Sequence, residues 1–264
     1  MSRARVNASK PVRDIAVSAV MYGYFLLGFF TLFWPVYLYM ACLGHKGEAG
    51  FRAAHHYYLR IFFSLAKIII PGLKINLPDK KETSGLGPAV IVCNHLSFLD
   101  PLLLISIFKN AATIVKEKHL RFPFFGWIMA KSGFISASID SRDELWSDKM
   151  LKNAQKTLAK GGVVFVFPEG TRSATGEPGV FKKGAFFFAK ALEAPLEIFQ
   201  LIGTNILFPP GRVLFNTRPG TLVELKRLGR IDPTAEPNRL SAKKIRDRVY
   251  AAYQNAAAGP DPDR

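Results

Sequence analysis

Cysteine and acidic residues are both scarce in this chain, and each shortage excludes a class of protein. Cys42 and Cys93 are the only cysteines among 264 residues, and both lie in apolar sequence. Two such distant residues build neither a disulfide framework nor a zinc site, so we expect two small buried side chains and no metal. The 20 Asp and Glu residues oppose 36 Lys and Arg, which leaves a net charge of +16. A surface this basic suits nucleic acid or anionic lipid.

Motifs that would identify several common classes are also missing. No G-x-S-x-G is present, which excludes the usual nucleophile turn of a serine hydrolase. Residues 179–184 have the glycine spacing of a phosphate-binding loop, but Ala185 and Phe186 follow where Lys and then Ser or Thr are needed. The basic residues are scattered and form no recognised nucleic-acid motif, so we expect no nucleic-acid partner. A hydrophobic fraction of 49% excludes a disordered chain.

Charged residues are absent from residues 15–44, and basic residues precede this run. About 20 apolar residues cross the hydrocarbon layer as a helix, so the run is long enough to do so. A cleaved signal peptide would be shorter. We expect Pro35 to kink the helix or to help turn it back. The run favours a membrane-embedded helix, and the alternative is a buried helix of a soluble protein.

A second apolar segment covers residues 57–73 and is interrupted by Arg60 and Lys67. These cations are seven residues apart and therefore share one helix face, from which long side chains reach lipid headgroups. We expect this segment to lie in the membrane interface, and the alternative is a core helix with two solvated cations. Residues 1–80 are thus interpreted as a membrane-anchoring unit, built as a helical hairpin or helix pair.

The remainder of the chain alternates short apolar runs with helical patterns. The predicted strands are residues 89–93, 112–115, 133–139, 162–167, 196–202 and 221–225. The predicted helices are residues 101–108, 124–131, 143–159, 181–192 and 241–257. This alternation predicts an α/β domain over residues 81–258, with a mostly parallel central sheet flanked by helices. Residues 259–264 are expected to be a disordered tail.

The first chemically informative cluster is N-H-L-S-F-L-D, residues 94–100. His95 follows a predicted strand directly, and Asp100 with Pro101 begins the next helix. A loop of this length can fold His95 back onto Asp100. The carboxylate would then hold one ring nitrogen protonated and leave the other as a base for a hydroxyl proton. The alternative is that Asp100 only caps the helix.

The second cluster is F-P-E-G-T-R-S, residues 167–173, which also follows a strand. Gly170 allows the backbone to approach a ligand, and Arg172 can bind a phosphate in a bidentate manner. Glu169 and Thr171 add a carboxylate and a hydroxyl. The alternative is an ordinary tight turn with an arginine at the surface.

Together these clusters resemble the glycerophospholipid acyltransferase family, whose bacterial type case is 1-acyl-glycerol-3-phosphate acyltransferase. The N-H-x-x-x-x-D block is matched at residues 94–100, and the F-P-E-G-T-R-S block is matched at every position of residues 167–173. Further blocks are matched at Lys116 with residues 123–127 and 133–135, and at residues 181–184. The likeness spans about residues 89–211.

The resemblance implies direct acyl transfer, with His95 as the base and Asp100 as its orienting acid. The acceptor would be a lysophospholipid, most simply 1-acyl-glycerol-3-phosphate giving phosphatidic acid. The donor would be an acyl thioester of acyl-carrier protein or coenzyme A, and no cofactor is expected. The resemblance also assigns acceptor or oxyanion contacts to the following residues: Glu169, Gly170, Thr171, Arg172, Lys116, Lys182 and Arg142.

One departure concerns Arg142, which comes later than the family's Ile-Asp-Arg pattern places its arginine because residues 139–141 intervene. That arginine normally helps to seat the acceptor phosphate, so another lysolipid acceptor, including a lyso-aminolipid, is the alternative substrate. A non-enzymatic membrane-binding protein of the same fold is the alternative function. Because the thioester donor is cytosolic, we expect the protein on the cytoplasmic face of a membrane, such as a bacterial inner membrane, with membrane lipids as partners.

Overall fold

The computed structural model describes residues 9–42, 47–137, 148–173, 175–235 and 240–258. Seven strands within these residues form one sheet in the order β1-β7-β6-β2-β5-β3-β4. The strands are β1 (Lys74–Asn76), β2 (Ala89–Cys93), β3 (Ala111–Lys116), β4 (Ile135–Ala137), β5 (Val163–Val166), β6 (Leu196–Ile202) and β7 (Leu222–Ile231). The five strands from β6 to β4 are parallel, whereas β7 is antiparallel to β6 and parallel to β1. The predicted α/β class with a mostly parallel sheet is confirmed.

Helices cover both faces of this sheet. Within the described residues they are α1 (Ser9–Gly23), a π-helical segment (Tyr24–Phe33), α2 (Trp34–Cys42), α3 (Gly47–Ile69), α4 (Lys80–Ser84), α5 (Leu99–Ile107), α6 (Glu117–Leu120), α7 (Phe125–Lys131), α8 (Asp148–Ala159), α9 (Lys183–Ala191), α10 (Thr204–Leu207) and α11 (Ala242–Ala258). Side chains of α8, α9 and α11 share one apolar layer, and those of α1–α3, α5 and α7 share the other.

The central strands read as unbroken apolar runs because both of their faces are buried. Every residue of β2 and β5 is buried. On β2, Ile91 belongs to the layer of α3 and α5, whereas Val90 and Val92 belong to the layer of α8, α9 and α11. Such strands lack the polar alternation of a half-exposed sheet, so the short run of residues 89–93 sufficed to predict β2.

The N-terminal helix runs through Pro35 without turning back. Residues Lys10–Cys42 form one helical stretch, of which residues 24–33 are π-helical. Pro35 is the second residue of α2, and the preceding amide of Trp34 already bonds to the carbonyl of Phe29, five residues back. The wider π turn relieves the clash that a proline ring makes in an α-helix. Of the two alternatives expected at Pro35, a kink or a reversal, the reversal is therefore excluded.

Helix α3, which begins at Gly47, returns alongside the N-terminal helix. The hydroxyl of Tyr24 donates to the carbonyl of Tyr58 at 2.8 Å, and the hydroxyl of Tyr58 donates to the carbonyl of Phe25 at 2.6 Å. These reciprocal bonds and the stacked rings of Tyr24 and Tyr58 hold the two helices together. The expected helix pair is present.

Helix α3 belongs to the core of the α/β unit rather than to a separate anchor. Its inner face buries Leu59 and Phe63 in the same layer as α5. Arg60 and Lys67 are exposed, as is Ile68. Strand β1 also joins the sheet, so the sheet begins before the predicted boundary at residue 81.

Several expectations lie partly outside the described residues. The predicted strand ends at residue 139, but the described strand ends at Ala137. The first five residues of the predicted helix over residues 143–159 also lie outside them, and so do Arg142 and the tail of residues 259–264.

Candidate active site

The two sequence clusters meet because their strands are neighbours in a parallel sheet. Strands β2 and β5 pair directly, and β2 also pairs with β6. The loops that follow them therefore emerge at one edge of the sheet, where ligands of open α/β sheets bind. The first cluster follows β2, the second follows β5, and Thr204 lies just beyond β6.

His95 and Asp100 contact each other as predicted. The distance between Nδ1 of His95 and Oδ2 of Asp100 is 2.8 Å. The same carboxylate oxygen accepts the amides of Leu96 at 2.5 Å and Ser97 at 2.7 Å. Phe98, not Asp100, occupies the N-cap position of α5. Asp100 is fully buried, whereas the His95 side chain is 18% exposed, so the imidazole is the member of the pair that reaches solvent.

Thr204 completes the surroundings of Asp100, and spacing along the chain does not predict this contact. Its hydroxyl donates to Oδ1 of Asp100 at 2.5 Å across a separation of 104 residues. The preceding Gly203 has φ +79°, and a Cβ there would lie 1.9 Å from the carbonyl oxygen of Leu222. Only glycine allows this approach, and it fixes the start of α10 and hence Thr204. The tertiary pairing of β6 with β2 creates this contact.

Aromatic packing fixes the plane of the imidazole. The rings of His95 and Phe167 stack, with centroids 4.2 Å apart and an interplanar angle of 18°. Because Nδ1 bonds to Asp100, the remaining ring nitrogen, Nε2, is the one available to a ligand. Phe167 is the first residue of the second cluster, but the sequence does not predict its contact with His95.

Glu169 faces inward and joins the two clusters. It is 4% exposed, and its Oε1 accepts the amide of His95 at 3.0 Å. Burial raises the pKa of Glu169, although the amides of His95 and Gly179 partly offset the effect. The amide of Ser173 also donates to the carbonyl of His95 at 2.7 Å. Glu169 thus connects the two loops, and its role toward an acceptor stays a prediction.

The second cluster places exposed groups around a left-handed glycine. Gly170 has φ +68°, and a Cβ there would lie 3.1 Å from the Lys182 ammonium. The amide of Gly170 donates to the carbonyl of Phe167 at 3.1 Å, so this amide is occupied rather than free for an oxyanion. Thr171 and Arg172 are exposed and follow directly.

Three predicted cations remain, of which the structure describes Lys116 and Lys182. Lys116 is exposed at the end of β3, which pairs with β5, so it lies at the same sheet edge as His95. Lys182 lies beside Gly170 as described. Arg142 is outside the described residues. The structure thus brings Lys116, Lys182 and Arg172 to the edge that carries the His95–Asp100 pair.

Asn94 fixes the position of the first cluster. Its side-chain amide donates to the carbonyl of Leu201 at 2.9 Å and accepts the amide of Leu201 at 2.7 Å. The Asn94 amide donates to the Tyr253 hydroxyl at 2.9 Å, and that hydroxyl donates to the carbonyl of Phe199. Tyr253 lies on α11, and no sequence pattern linked it to the site.

An apolar cavity lies beside the first cluster, between the N-terminal helix and α5. Its lining residues are Met21, Tyr22, Phe25, Phe62, Phe98, Leu99, Leu102, Phe208 and Phe215. Phe98 and Leu99 precede Asp100 directly, so apolar surface adjoins the polar pair. Within the described residues no group of three or more His, Cys, Asp or Glu side chains is placed to hold a metal ion.

Comparison with known proteins gives one family. The family model described as "Acyltransferase" matches residues 74–200. A chloroplastic 1-acyl-sn-glycerol-3-phosphate acyltransferase of Arabidopsis thaliana is 33% identical over 214 residues, which cover 79% of this chain and 59% of the relative. A 1-acyl-sn-glycerol-3-phosphate acyltransferase of Saccharomyces cerevisiae is 30% identical over 204 residues, which cover 76% of this chain and 66% of the relative. The matches thus span about three fifths of the length of these relatives.

A solved structure shares the fold. The crystal structure of the 1-acyl-sn-glycerophosphate acyltransferase from Thermotoga maritima superposes with a TM-score of 0.72 at 23% identity. The superposition covers 94% of this chain and 96% of that one. The sheet and the N-terminal helices described above are therefore a known architecture.

Proposed function

This chain belongs to the acyltransferase family, and from that premise we propose that it transfers a fatty acyl group from an acyl thioester to the free hydroxyl of a lysophospholipid. The proposed acceptor is 1-acyl-glycerol-3-phosphate, and the product is phosphatidic acid. The observation that carries the proposal is the contact of His95 with a buried Asp100 that already accepts two loop amides and a hydroxyl.

In the proposed mechanism His95 is the general base. Nδ1–H donates to Asp100, so Nε2 accepts the proton of the acceptor hydroxyl. The freed oxygen forms a bond to the thioester carbonyl carbon, whose carbonyl oxygen takes the negative charge. Collapse of this intermediate breaks the carbon–sulfur bond, and the leaving thiolate takes the proton back from His95. These steps return His95 to its starting protonation state without a covalent acyl-enzyme or a metal.

Arg172, Lys182 and Lys116 are proposed to bind the phosphate of the acceptor. All three are exposed at the sheet edge that bears His95. The guanidinium of Arg172 presents paired donors that match phosphate oxygens, whereas the two ammonium groups act as point charges. Arg142 remains a further candidate. Its displaced position in the sequence is why a different lysolipid headgroup remains the alternative acceptor.

Glu169 is proposed as a positioning residue rather than a substrate ligand. It is buried and bonds to the amides of His95 and Gly179. Because the amide of Gly170 is occupied, we assign oxyanion stabilisation to the amides of Thr171 and Arg172, which follow it.

The acyl chain of the donor or acceptor is proposed to lie along the apolar side chains beside Phe98 and Leu99, where the cavity of about 60 Å³ takes only a part of it. Acyl-carrier protein and acyl-coenzyme A both deliver a thioester from the cytosol, and the basic rim of the site suits the phosphates of either. We therefore propose action on the cytoplasmic face of a membrane.

The N-terminal helix is proposed to lie in the plane of the membrane surface instead of crossing it. By length and composition the stretch Lys10–Cys42 is able to cross a bilayer. Its first turns, however, bond to the segment of residues 213–217: Asp14 accepts the amide of Thr217 at 2.9 Å, and Ser18 accepts the amide of Phe215 at 2.8 Å. A crossing helix would have to break these contacts or carry the α/β unit into the hydrocarbon layer.

The anchor is best tested by substitution, because deletion of residues 1–44 would uncover the core. Met21, Phe29 and Tyr37 on this helix are almost fully buried. Ile15 and Leu32 are 57% and 61% exposed. We expect Ile15→Glu with Leu32→Glu to release the protein from membranes in a flotation assay while leaving its circular dichroism unchanged. A doubly substituted protein that still floats with membranes would contradict the anchor.

The activity itself is tested with the full-length protein and a series of lysolipids that differ in headgroup. We expect acyl transfer to 1-acyl-glycerol-3-phosphate, and a loss of at least about a hundredfold in kcat for His95→Ala, since a general base contributes 10²–10⁴-fold. If the His95→Ala protein retains activity within about tenfold of wild type, His95 is not the general base. Transfer to a lyso-aminolipid instead would select the alternative acceptor, and no transfer to any lysolipid would favour the non-enzymatic alternative.

A further inference from the structure

The turn between α6 and α7 holds a phenylalanine in a conformation that side chains rarely adopt. Phe124 has φ +60° and ψ −60°. The amide of Phe125 donates to the carbonyl of Pro123 at 2.6 Å, which closes a three-residue γ-turn around Phe124. A γ-turn with positive φ at its centre is rare and strained. Residues other than glycine seldom adopt such a strained conformation unless the surrounding structure imposes it.

The strained turn sends two neighbouring rings in opposite directions. Phe125 turns inward and stacks on Phe29, with centroids 4.2 Å apart. Phe124 turns outward and is 48% exposed. The turn is tight, because a Cβ on Gly126 would lie 2.1 Å from the carbonyl oxygen of Leu120. The backbone is thus fixed with one ring of the pair at the surface.

The outward ring extends an apolar surface of the N-terminal helix. Phe124 makes edge-to-face contacts with Phe30 and Trp34, with centroids 5.2 Å and 5.3 Å apart. Phe122, two residues away, is 57% exposed, and Leu27 on the π-helical segment is 69% exposed. We name the contacting rings of Phe30 and Phe124, together with Phe122 in the same turn, the aromatic rim.

Cations flank the aromatic rim on the side of the active site. Lys116 and Lys118 are exposed, and Arg121 pairs with Glu117 at 2.7 Å. The short stretch of residues 116–121 therefore carries an excess of positive charge. Exposed aromatic rings beside lysines match a bilayer surface, where rings enter below the headgroups and ammonium groups contact anionic phosphates. A second copy of the chain would oppose like charges across a symmetric contact.

We propose that the aromatic rim is a second membrane contact, made with a bilayer that contains anionic lipid. The inference rests on the proposed function, in which the N-terminal helix lies on that surface. Because β3 leads directly from the sheet edge of His95 to this turn, the contact holds the rim of the site against the lipid that carries the acceptor. The strain at Phe124 is retained because it presents the ring to the bilayer.

The test uses purified full-length protein and two substitutions at one position. Phe124→Gly removes the ring and relieves the positive φ, whereas Phe124→Ala removes the ring and keeps the strain. Phe187→Ala is the matched control, since Phe187 is 46% exposed on α9, across the sheet. Binding is measured by sedimentation with phosphatidylglycerol–phosphatidylcholine vesicles at limiting lipid, and stability is measured by thermal unfolding.

Both Phe124 variants should bind these vesicles about five- to tenfold more weakly, which is the effect expected for withdrawing a half-exposed phenyl ring from lipid. Phe187→Ala should bind within about twofold of the wild type. Phe124→Gly should unfold at a higher temperature than Phe124→Ala, because glycine tolerates the positive φ. Lys118→Glu should weaken binding to these vesicles but not to vesicles of phosphatidylcholine alone.

Three results would overturn the inference: binding of Phe124→Gly within twofold of wild type, equal loss with Phe187→Ala, or a dimer in detergent-free light scattering that Phe124→Gly dissociates. The proposed function is tested by a separate measurement, and it fails if the wild-type protein transfers no acyl group to lysolipid in detergent micelles. An active enzyme with unchanged vesicle binding in Phe124→Gly would leave the function standing and remove the aromatic rim as a membrane contact.

Discussion

Thr204→Val isolates the role of the third group around Asp100. Valine matches the shape of threonine but lacks the hydroxyl that donates to Oδ1 of Asp100 at 2.5 Å. Both side chains are fully buried, so water does not readily replace the lost donor. Among the hydrogen bonds of the described residues, Thr204 is the donor to Oδ1. The other oxygen, Oδ2, bonds to Nδ1 of His95 and accepts two backbone amides.

The magnitude follows from the charge of the acceptor. A hydrogen bond to a charged group contributes about 1.5–3 kcal/mol, and the loss leaves a carboxylate oxygen buried without a partner. If this cost falls on the transition state, where Asp100 must hold the imidazolium of His95, kcat falls by about ten- to a hundredfold. The KM for the acceptor should change less than threefold, since Thr204 lies behind Asp100. Thr204→Ser should keep most of the activity.

Steady-state acyl transfer and thermal unfolding together measure these effects. Thr113→Val is the matched control, because the buried hydroxyl of Thr113 donates to the carbonyl of Phe165 at 3.1 Å, away from Asp100. It should lower stability without lowering kcat. Asp100→Asn provides a double-mutant cycle, in which Thr204→Val should cost less than about twofold once the carboxylate is gone. An equal loss in both backgrounds, or a folded Thr204→Val enzyme within twofold of wild type, would refute the reasoning.

Three further outcomes are expected. Arg172→Ala should raise the KM for the acceptor about tenfold or more with a smaller change in kcat, and Arg172→Lys should restore only part of the loss, because an ammonium cannot form the paired bonds; an unchanged KM in acceptor titrations would count against the phosphate role. Burial lowers the pKa of His55 to about 4, so below pH 6.5 the unfolded chain binds a proton that the folded chain does not. The free energy of unfolding should fall by up to about 3 kcal/mol between pH 6.5 and pH 4 in urea titrations, and His55→Phe should fall less steeply; parallel pH curves would contradict this. Leu102→Trp, which fills the cavity beside α5, should slow transfer of long acyl chains more than short ones in a donor chain-length series, and a uniform change would argue against an acyl site there.

Local sequence was sufficient for the strands that are buried on both faces. Residues 89–93 and 162–167 contain only apolar side chains apart from the leading glycine of the second run, and the structure has β2 and β5 there. Strand β1 was missed because its three residues, Lys74–Asn76, carry a polar pattern and gain their place only by pairing with β7. A reversal at Pro35 was one of the two alternatives expected, and it does not occur, because a proline rule for α-helices does not anticipate a π-helical segment before it.

The contact of His95 with Asp100 and the cationic turn were predictable because each cluster lies within seven consecutive residues. Short spacing allowed His95 to reach Asp100 whatever the rest of the chain did. The contact of Glu169 with the amide of His95 was not predicted, since it depends on the pairing of β2 with β5. Thr204 lies 104 residues from Asp100 and Tyr253 lies 159 residues from Asn94, so local spacing predicts neither contact.

The sequence by itself determined the components of the fold and site: an apolar N-terminal helix, an α/β domain, an imidazole beside a carboxylate, and a turn with an arginine. Each of these is set by composition or by spacing within a few residues. The tertiary structure alone decided what surrounds the base, because strand order brings β6 and β5 to either side of β2 and thereby places Thr204 behind Asp100 and Glu169 against the amide of His95. It also decided that the N-terminal helix lies along the domain, since hydrogen bonds to residues 213–217 form only once the sheet has folded.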